Sequence, residues 1–88
     1  MNRAEIIDGL RDFIRTELLG EPDAELGVDE PLITSGRIDS FSIAQVAVFV
    51  ETAFGVYVPD NELVVDNADT LAQMADLVLR YAADDATD

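Results

Sequence analysis

The 88-residue chain contains no cysteine, no histidine, no tryptophan and no lysine. Without cysteine there are no disulfide staples and no thiolate nucleophile. Without histidine the chain lacks the commonest general base and the commonest metal ligand. A Ser–His–Asp or Cys–His catalytic apparatus therefore cannot be assembled from it. Positive charge is scarce: the five basic residues are Arg3, Arg11, Arg15, Arg37 and Arg80, against 19 acids, for a net charge of −14. Residues 1–37 carry a net −5 and residues 38–88 a net −9. Phosphates repel such a surface at long range, which excludes nucleic acid and an anionic membrane face as partners. A basic patch on a larger protein suits it. No apolar run approaches bilayer length, and the N-terminus lacks the continuous apolar stretch of a secretory signal. A cytoplasmic location is expected.

What remains is enough for one small domain. Hydrophobic residues make up 49%, too many for a chain disordered by composition. A chain of this size buries only roughly 60–70% of its unfolded surface, so its core is thin and a deep substrate cleft is not expected. No internal repeat or linker divides residues 1–88, which are read as a single domain.

The pattern predicts an all-α bundle of three main helices and one short one. Ile6, Ile7, Leu10, Phe13, Ile14 and Leu18 recur at helical spacing over residues 3–19. Asn2 with Glu5 fits a capping box, and Gly20 with Pro22 a stop. Residues 20–39 read as a long loop pinned by Leu26, Val28, Leu32 and Ile33. Loops of that length in small domains are usually functional. A second helix is expected over residues 40–54, with Asp39 and Ser40 both suited to cap it and Gly55 to end it. Val56-Tyr57-Val58 reads as extended, and one short helical turn is expected from Pro59 or Asp60 to about Val65. Asp66-Asn67-Ala68-Asp69 has turn chemistry. Thr70 with Gln73 opens a last helix running to about Ala83, with Leu71, Met74, Leu77, Val78 and Tyr81 on one face and a frayed tail over 84–88.

The second helix has more apolar surface than one buried face requires. Ile43, Val46, Ala47, Val50 and Phe54 form a stripe sufficient for the core. Phe41, Ala44 and Val48 form a second set to one side, beside Gln45 and Glu51, and Phe49 adds more. Such a set is either a wide core face or an exposed contact surface, and spacing alone weighs the two equally. Ser40 is likewise open to two roles: a helix cap, or a hydroxyl accessible to a modifying enzyme, where a phosphate ester would sit at the positive end of the helix dipole. It cannot be a nucleophile in its own right.

Leu32-Ile33-Thr34-Ser35-Gly36-Arg37-Ile38-Asp39-Ser40-Phe41 resembles the phosphopantetheine attachment motif of acyl, aminoacyl and peptidyl carrier proteins, Gly-x-(Leu/Ile)-Asp-Ser-(Leu/Phe/Met). The likeness extends over nearly the whole chain, through the order of helices and the long first loop. It implies a bundle of the acyl-carrier type, a non-catalytic carrier with 4′-phosphopantetheine esterified to Ser40, and Asp39 as the motif partner that helps place the metal and the serine. It also implies loading by a phosphopantetheinyl transferase from coenzyme A and Mg²⁺. An acyl- or aminoacyl-loading enzyme and downstream transferases would then handle the thioester. Phe41, Ala44, Gln45, Val48 and Glu51 would be the docking face for partners. A monomer working in trans, with no flanking domain and no resident metal, is expected.

Fatty-acid carriers of this family are similar in frame but bear acids just after the serine and near the Gln45 position, where this chain has Ser42 and Gln45. Ile38 and Gln45 look more like discrete carriers of amino acids, such as the D-alanine carrier and aminoacyl carriers of natural-product pathways. Specialised biosynthesis is therefore the expected setting. An unmodified acidic adaptor, binding through the same apolar face, is the competing expectation. Arg37 is read as an exposed loop charge. The acids between residues 60 and 69 are read as a solvated loop without metal-ligand spacing, and Tyr57 and Tyr81 as core-edge aromatics.

Overall fold

The computed structural model describes residues 2–86, and the side chains of all of these except residue 60 and residues 83–86. The described residues form helices and connecting segments, with no strand.

Helix α1 spans Arg3–Phe13 and continues into a wider π turn over Ile14–Leu18. Asn2 caps it as expected, its Oδ1 accepting from the Glu5 N–H at 2.9 Å. Near the other end the Thr16 hydroxyl donates back to the Asp12 carbonyl at 2.7 Å, a competing bond of the kind that bends helices. Gly20, at φ 65°, then turns the chain away.

Helix α2 spans Ser42–Phe54 and ends at Gly55, whose φ of 69° is left-handed and whose N–H returns to the Glu51 carbonyl at 3.0 Å. Val56 and Val58 then point inward and Tyr57 outward, the alternation that an extended segment imposes. Tyr57 is 61% exposed, so it is not the core-edge ring expected from sequence.

The next stretch also differs from expectation. A 3₁₀ turn covers Asp60–Glu62, and a separate short helix, α3, covers Val65–Ala68. Asp66-Asn67-Ala68 is thus helical, not a turn. Hydrogen bonds to residues outside the segment hold it: Gln73 Nε2 donates to the Asp66 carbonyl, and Asn67 Nδ2 donates to the Glu62 carbonyl. Helix α4 spans Leu71–Ala86, reaching past the expected end at Ala83. The remainder of the tail expected to fray, residues 87–88, lies outside the described residues. The capping box of α4 is reciprocal, Gln73 N to Thr70 Oγ1 at 3.1 Å and Thr70 N to Gln73 Oε1 at 3.2 Å.

The core lies where α1, α2 and α4 meet. Ile6, Leu10 and Ile14 come from the first helix and its π turn, Val46 and Val50 from α2, and Leu71 and Val78 from α4. Each such side chain contributes about 1.5–3 kcal/mol when fully buried. The long loop joins this core through Leu26, Leu32 and Ile38, with Val28 and Ile33 packed at its edge. An aromatic seam closes α1 against α2: Phe13 stacks on Phe49 at 4.6 Å between centroids, and Phe54 meets Phe49 edge-on at 5.7 Å. Gly9 makes room for that seam, because a Cβ there would stand 2.9 Å from Phe54 Cζ.

Candidate functional site

The entry to α2 is a tightened turn. Ser42, Ile43 and Ala44 donate their N–H groups to the carbonyls of Asp39, Ser40 and Phe41, each three residues back. The helix proper therefore starts at Ser42, two residues later than expected. Of the two residues suited to capping, Asp39 does the work: its Oδ1 accepts from Ser42 N at 3.0 Å and from Ser42 Oγ at 3.1 Å. Ser40 is not a cap. It is exposed, and among the described residues no hydrogen bond engages its hydroxyl. Ile38, two residues earlier, is buried. A shallow cleft adjoins the serine, lined by Leu18, Ile33, Thr34, Ile38 and Val65.

The loop before Ser40 is fastened from an unexpected direction. Asp69, read from sequence as one acid of a solvated loop, is half-buried and accepts at Oδ1 from Ile33 N at 2.7 Å and Thr34 N at 3.0 Å. Its Oδ2 accepts from the Thr34 hydroxyl at 2.7 Å. The Thr34 hydroxyl foremost, and then the amides, hold the Asp69 carboxyl below its usual pKa despite some loss of hydration. Arg37 is an exposed loop charge, as expected, but a paired one. Its Nη1 pairs with Glu30 Oε2 at 2.7 Å and also reaches the Glu25 carbonyl. That pairing, seconded by the Gly27 N–H, lowers the Glu30 pKa.

All five arginines are engaged within the chain: Arg3 with Asp76, Arg11 with Asp8, Arg15 with Asp12, Arg37 with Glu30 and Arg80 with Glu62. Among the described residues, no group of three or more His, Cys, Asp or Glu is disposed to hold a metal ion.

On α2 the second apolar set lies outside the core. Phe41 is 84% and Val48 66% exposed, and Ala44, Gln45 and Glu51 are exposed beside them. Ala44, Gln45 and Val48 continue into a shallow apolar groove bordered by Phe13 and Phe49. Glu51 is the only charged residue in α2. Sequence spacing left this face open between a wide core face and a contact surface, and it is exposed. Sequence reasoning missed Asp69, whose partners lie 35 and 36 residues away.

An acidic helical bundle with an exposed serine at the entry to a capped helix is the form that the sequence resemblance to carrier proteins implies. Comparison with known proteins agrees. The family model of the phosphopantetheine attachment site matches residues 9–78. An acyl carrier protein of Thermobifida fusca (strain YX) is 39% identical over 59 residues, 67% of this chain and 73% of that one. An acyl carrier protein of Acidothermus cellulolyticus is 31% identical over 78 residues, 89% of each chain. A meromycolate extension acyl carrier protein of Mycolicibacterium aurum is 34% identical over 62 residues, 70% of this chain and 63% of that one. The chain belongs to the acyl carrier protein family. As a member it is a non-catalytic carrier protein whose cofactor is covalently attached 4′-phosphopantetheine. Carriers of this family work with phosphopantetheinyl transferases and acyl-handling enzymes. No described helix is long and apolar enough to cross a membrane.

Proposed function

We propose that Ser40 is the residue esterified by 4′-phosphopantetheine and that the chain presents an acyl or aminoacyl thioester on that arm to successive enzymes. One observation carries the assignment: the Ser40 hydroxyl is exposed and unengaged while Asp39 carries the helix cap. In the transfer, the Ser40 oxygen attacks the phosphorus of coenzyme A that bears the pantetheine. A new O–P bond forms, the bond to the adenosine 3′,5′-bisphosphate leaving group breaks, and the serine proton passes to a base on the transferase. Asp39 acts as the motif partner. The arm then supplies the thiol that this cysteine-free chain lacks.

Phe41, Ala44, Gln45, Val48 and Glu51 form the docking face for the transferase, the loading enzyme and downstream transferases. Their exposure supports this, and the apolar character of Phe41 and Val48 fits contact surfaces that anchor on buried apolar groups. With a single charge on α2, partners that rely on salt bridges to that helix dock poorly, which favours a specialised biosynthetic pathway over general fatty-acid synthesis. Coenzyme A as donor favours the cytoplasm as the place of loading.

The test is intact mass after incubation with coenzyme A, Mg²⁺ and a promiscuous phosphopantetheinyl transferase, with Ser40→Ala alongside. Wild type gains one phosphopantetheine and the variant none. No gain on folded wild type would leave the apolar face as the binding surface of an unmodified adaptor.

A further inference from the structure

The start of α4 and the loop that delivers Ser40 are joined by one carboxylate. Asp69 receives three hydrogen bonds at its side chain, from Ile33 N, Thr34 N and Thr34 Oγ1, and a fourth at its carbonyl from Leu32 N at 2.7 Å. Three consecutive loop residues are thus tied to a single residue of another element. The tie continues toward the serine. Ile38 N donates to the Leu32 carbonyl at 3.0 Å and Gly36 N to the Ile33 carbonyl at 3.0 Å, closing the turn over 32–38 on itself. Asp39 and Ser40 follow directly. Asp69 is in turn held in place, its own N–H donating to Gln73 Oε1 at 2.9 Å within the cap of α4. Its negative charge also stands at the positive end of that helix.

We propose that Asp69 is a positioning residue for Ser40, fixing the loop so that the serine hydroxyl is offered to the transferase in one geometry. The inference rests on Ser40 being the attachment site. No shorter or apolar side chain reproduces the arrangement. An alanine leaves the Ile33 and Thr34 amides without their acceptor. An asparagine keeps one oxygen for both amides and turns a donor toward the Thr34 hydroxyl, which can accept it. Loop order is what an enzyme must otherwise impose on binding, so its loss weakens productive encounter and leaves the chemical step alone.

Two measurements on the full chain test this. The first is the transfer rate from coenzyme A by a promiscuous phosphopantetheinyl transferase, as a function of carrier concentration, for wild type, Asp69→Ala, Asp69→Asn and Asp66→Ala. Asp66 is an exposed neighbour whose backbone carbonyl accepts from Gln73 Nε2 at 3.0 Å. Asp69→Ala is expected to raise KM about tenfold with kcat little changed, as loss of charge-assisted bonds implies. Asp69→Asn recovers most of that loss, and Asp66→Ala matches wild type. The second is ¹⁵N relaxation on the unmodified proteins. Asp69→Ala increases motion over residues 33–40 and leaves α2 beyond Ile43 unchanged. Unaltered relaxation at Asp39 and Ser40 overturns the proposal, as does an unaltered KM. So does a loss that Asp66→Ala equals, or one that follows melting of the helices without rescue by Asp69→Asn. Should wild type itself take no phosphopantetheine, the carrier assignment of Ser40 falls separately, and the relaxation data still decide whether Asp69 orders the loop.

Discussion

Asp39 Oδ1 accepts from both the backbone N–H and the hydroxyl of Ser42, at 3.0 and 3.1 Å, across Ser40 and Phe41. The capping load sits on the aspartate. Asp39→Ala is therefore expected to destabilise the fold by about 1 kcal/mol, the usual cost of a lost cap, while Ser40→Ala stays within about 0.5 kcal/mol of wild type. Urea unfolding of the two variants measures the difference. Equal losses would mean that the serine shares the cap.

Gly9→Ala sets two effects against each other. Alanine favours the helix by about 0.8–1.0 kcal/mol, but its methyl would stand 2.9 Å from Phe54 Cζ. Displacing a ring that also packs edge-on against Phe49 costs about 1–3 kcal/mol as overpacking. Net destabilisation of about 1 kcal/mol is expected, visible as a lower melting temperature. Phe54→Leu in the Gly9→Ala background should recover part of it. A melting temperature that rises in Gly9→Ala alone would show that the ring moves freely.

How legible the molecule was depended on the range of each interaction. The caps at Asn2 and Thr70 and the stop at Gly55 are local, and the residues that make them lie within four positions of one another. Ser40 and Asp39 are chemically equivalent as caps, so sequence left the choice open. Helix α3 replaces the turn that Asp-Asn-Ala-Asp favours locally, because Gln73 and Asn67 supply bonds that composition does not display. The outward position of Tyr57 follows from the alternation of Val56-Tyr57-Val58 in an extended segment. Asp69 offered no local signal at all.

Acid should loosen the loop. Asp69 and Glu30 have pKa values lowered from the ordinary 3.8 and 4.5 by their hydrogen bonds, to Thr34 and to Arg37 respectively. A lowered folded-state pKa adds stability that is complete above the ordinary value and is lost as pH falls through the lowered one. The stability difference between wild type and Asp69→Asn is therefore expected to be constant near neutrality and to shrink below about pH 4. Urea midpoints at a series of pH values test it. A difference independent of pH would mean that the carboxylate gains nothing from its charge.

Salt should stabilise the fold. The five ion pairs have partly exposed members, and such pairs are worth little each, about 0–1 kcal/mol. The net charge of −14 is a larger and repulsive quantity that ions screen. Melting temperature is expected to rise with added sodium chloride. A fall would show that the pairs outweigh the repulsion.

On α2, Val48→Asp places a charge on an exposed apolar position and should leave stability within about 0.5 kcal/mol. On the docking proposal it lowers kcat/KM for phosphopantetheine transfer by about tenfold, the scale of an interface anchor. Unchanged kinetics in Val48→Asp and Phe41→Ala together would remove that face from transferase docking.

A tether sweeps a volume set by its fixed end. Ile38 is buried in the core, and only Asp39 separates it from Ser40. Two Cα–Cα steps, about 7–8 Å of chain, are all the backbone slack between the packed interior and the serine. If the arm is attached there, the radius it searches is its own length and owes almost nothing to the protein. The depth of a partner's active site is then matched against a ruler whose zero mark is nailed to the bundle.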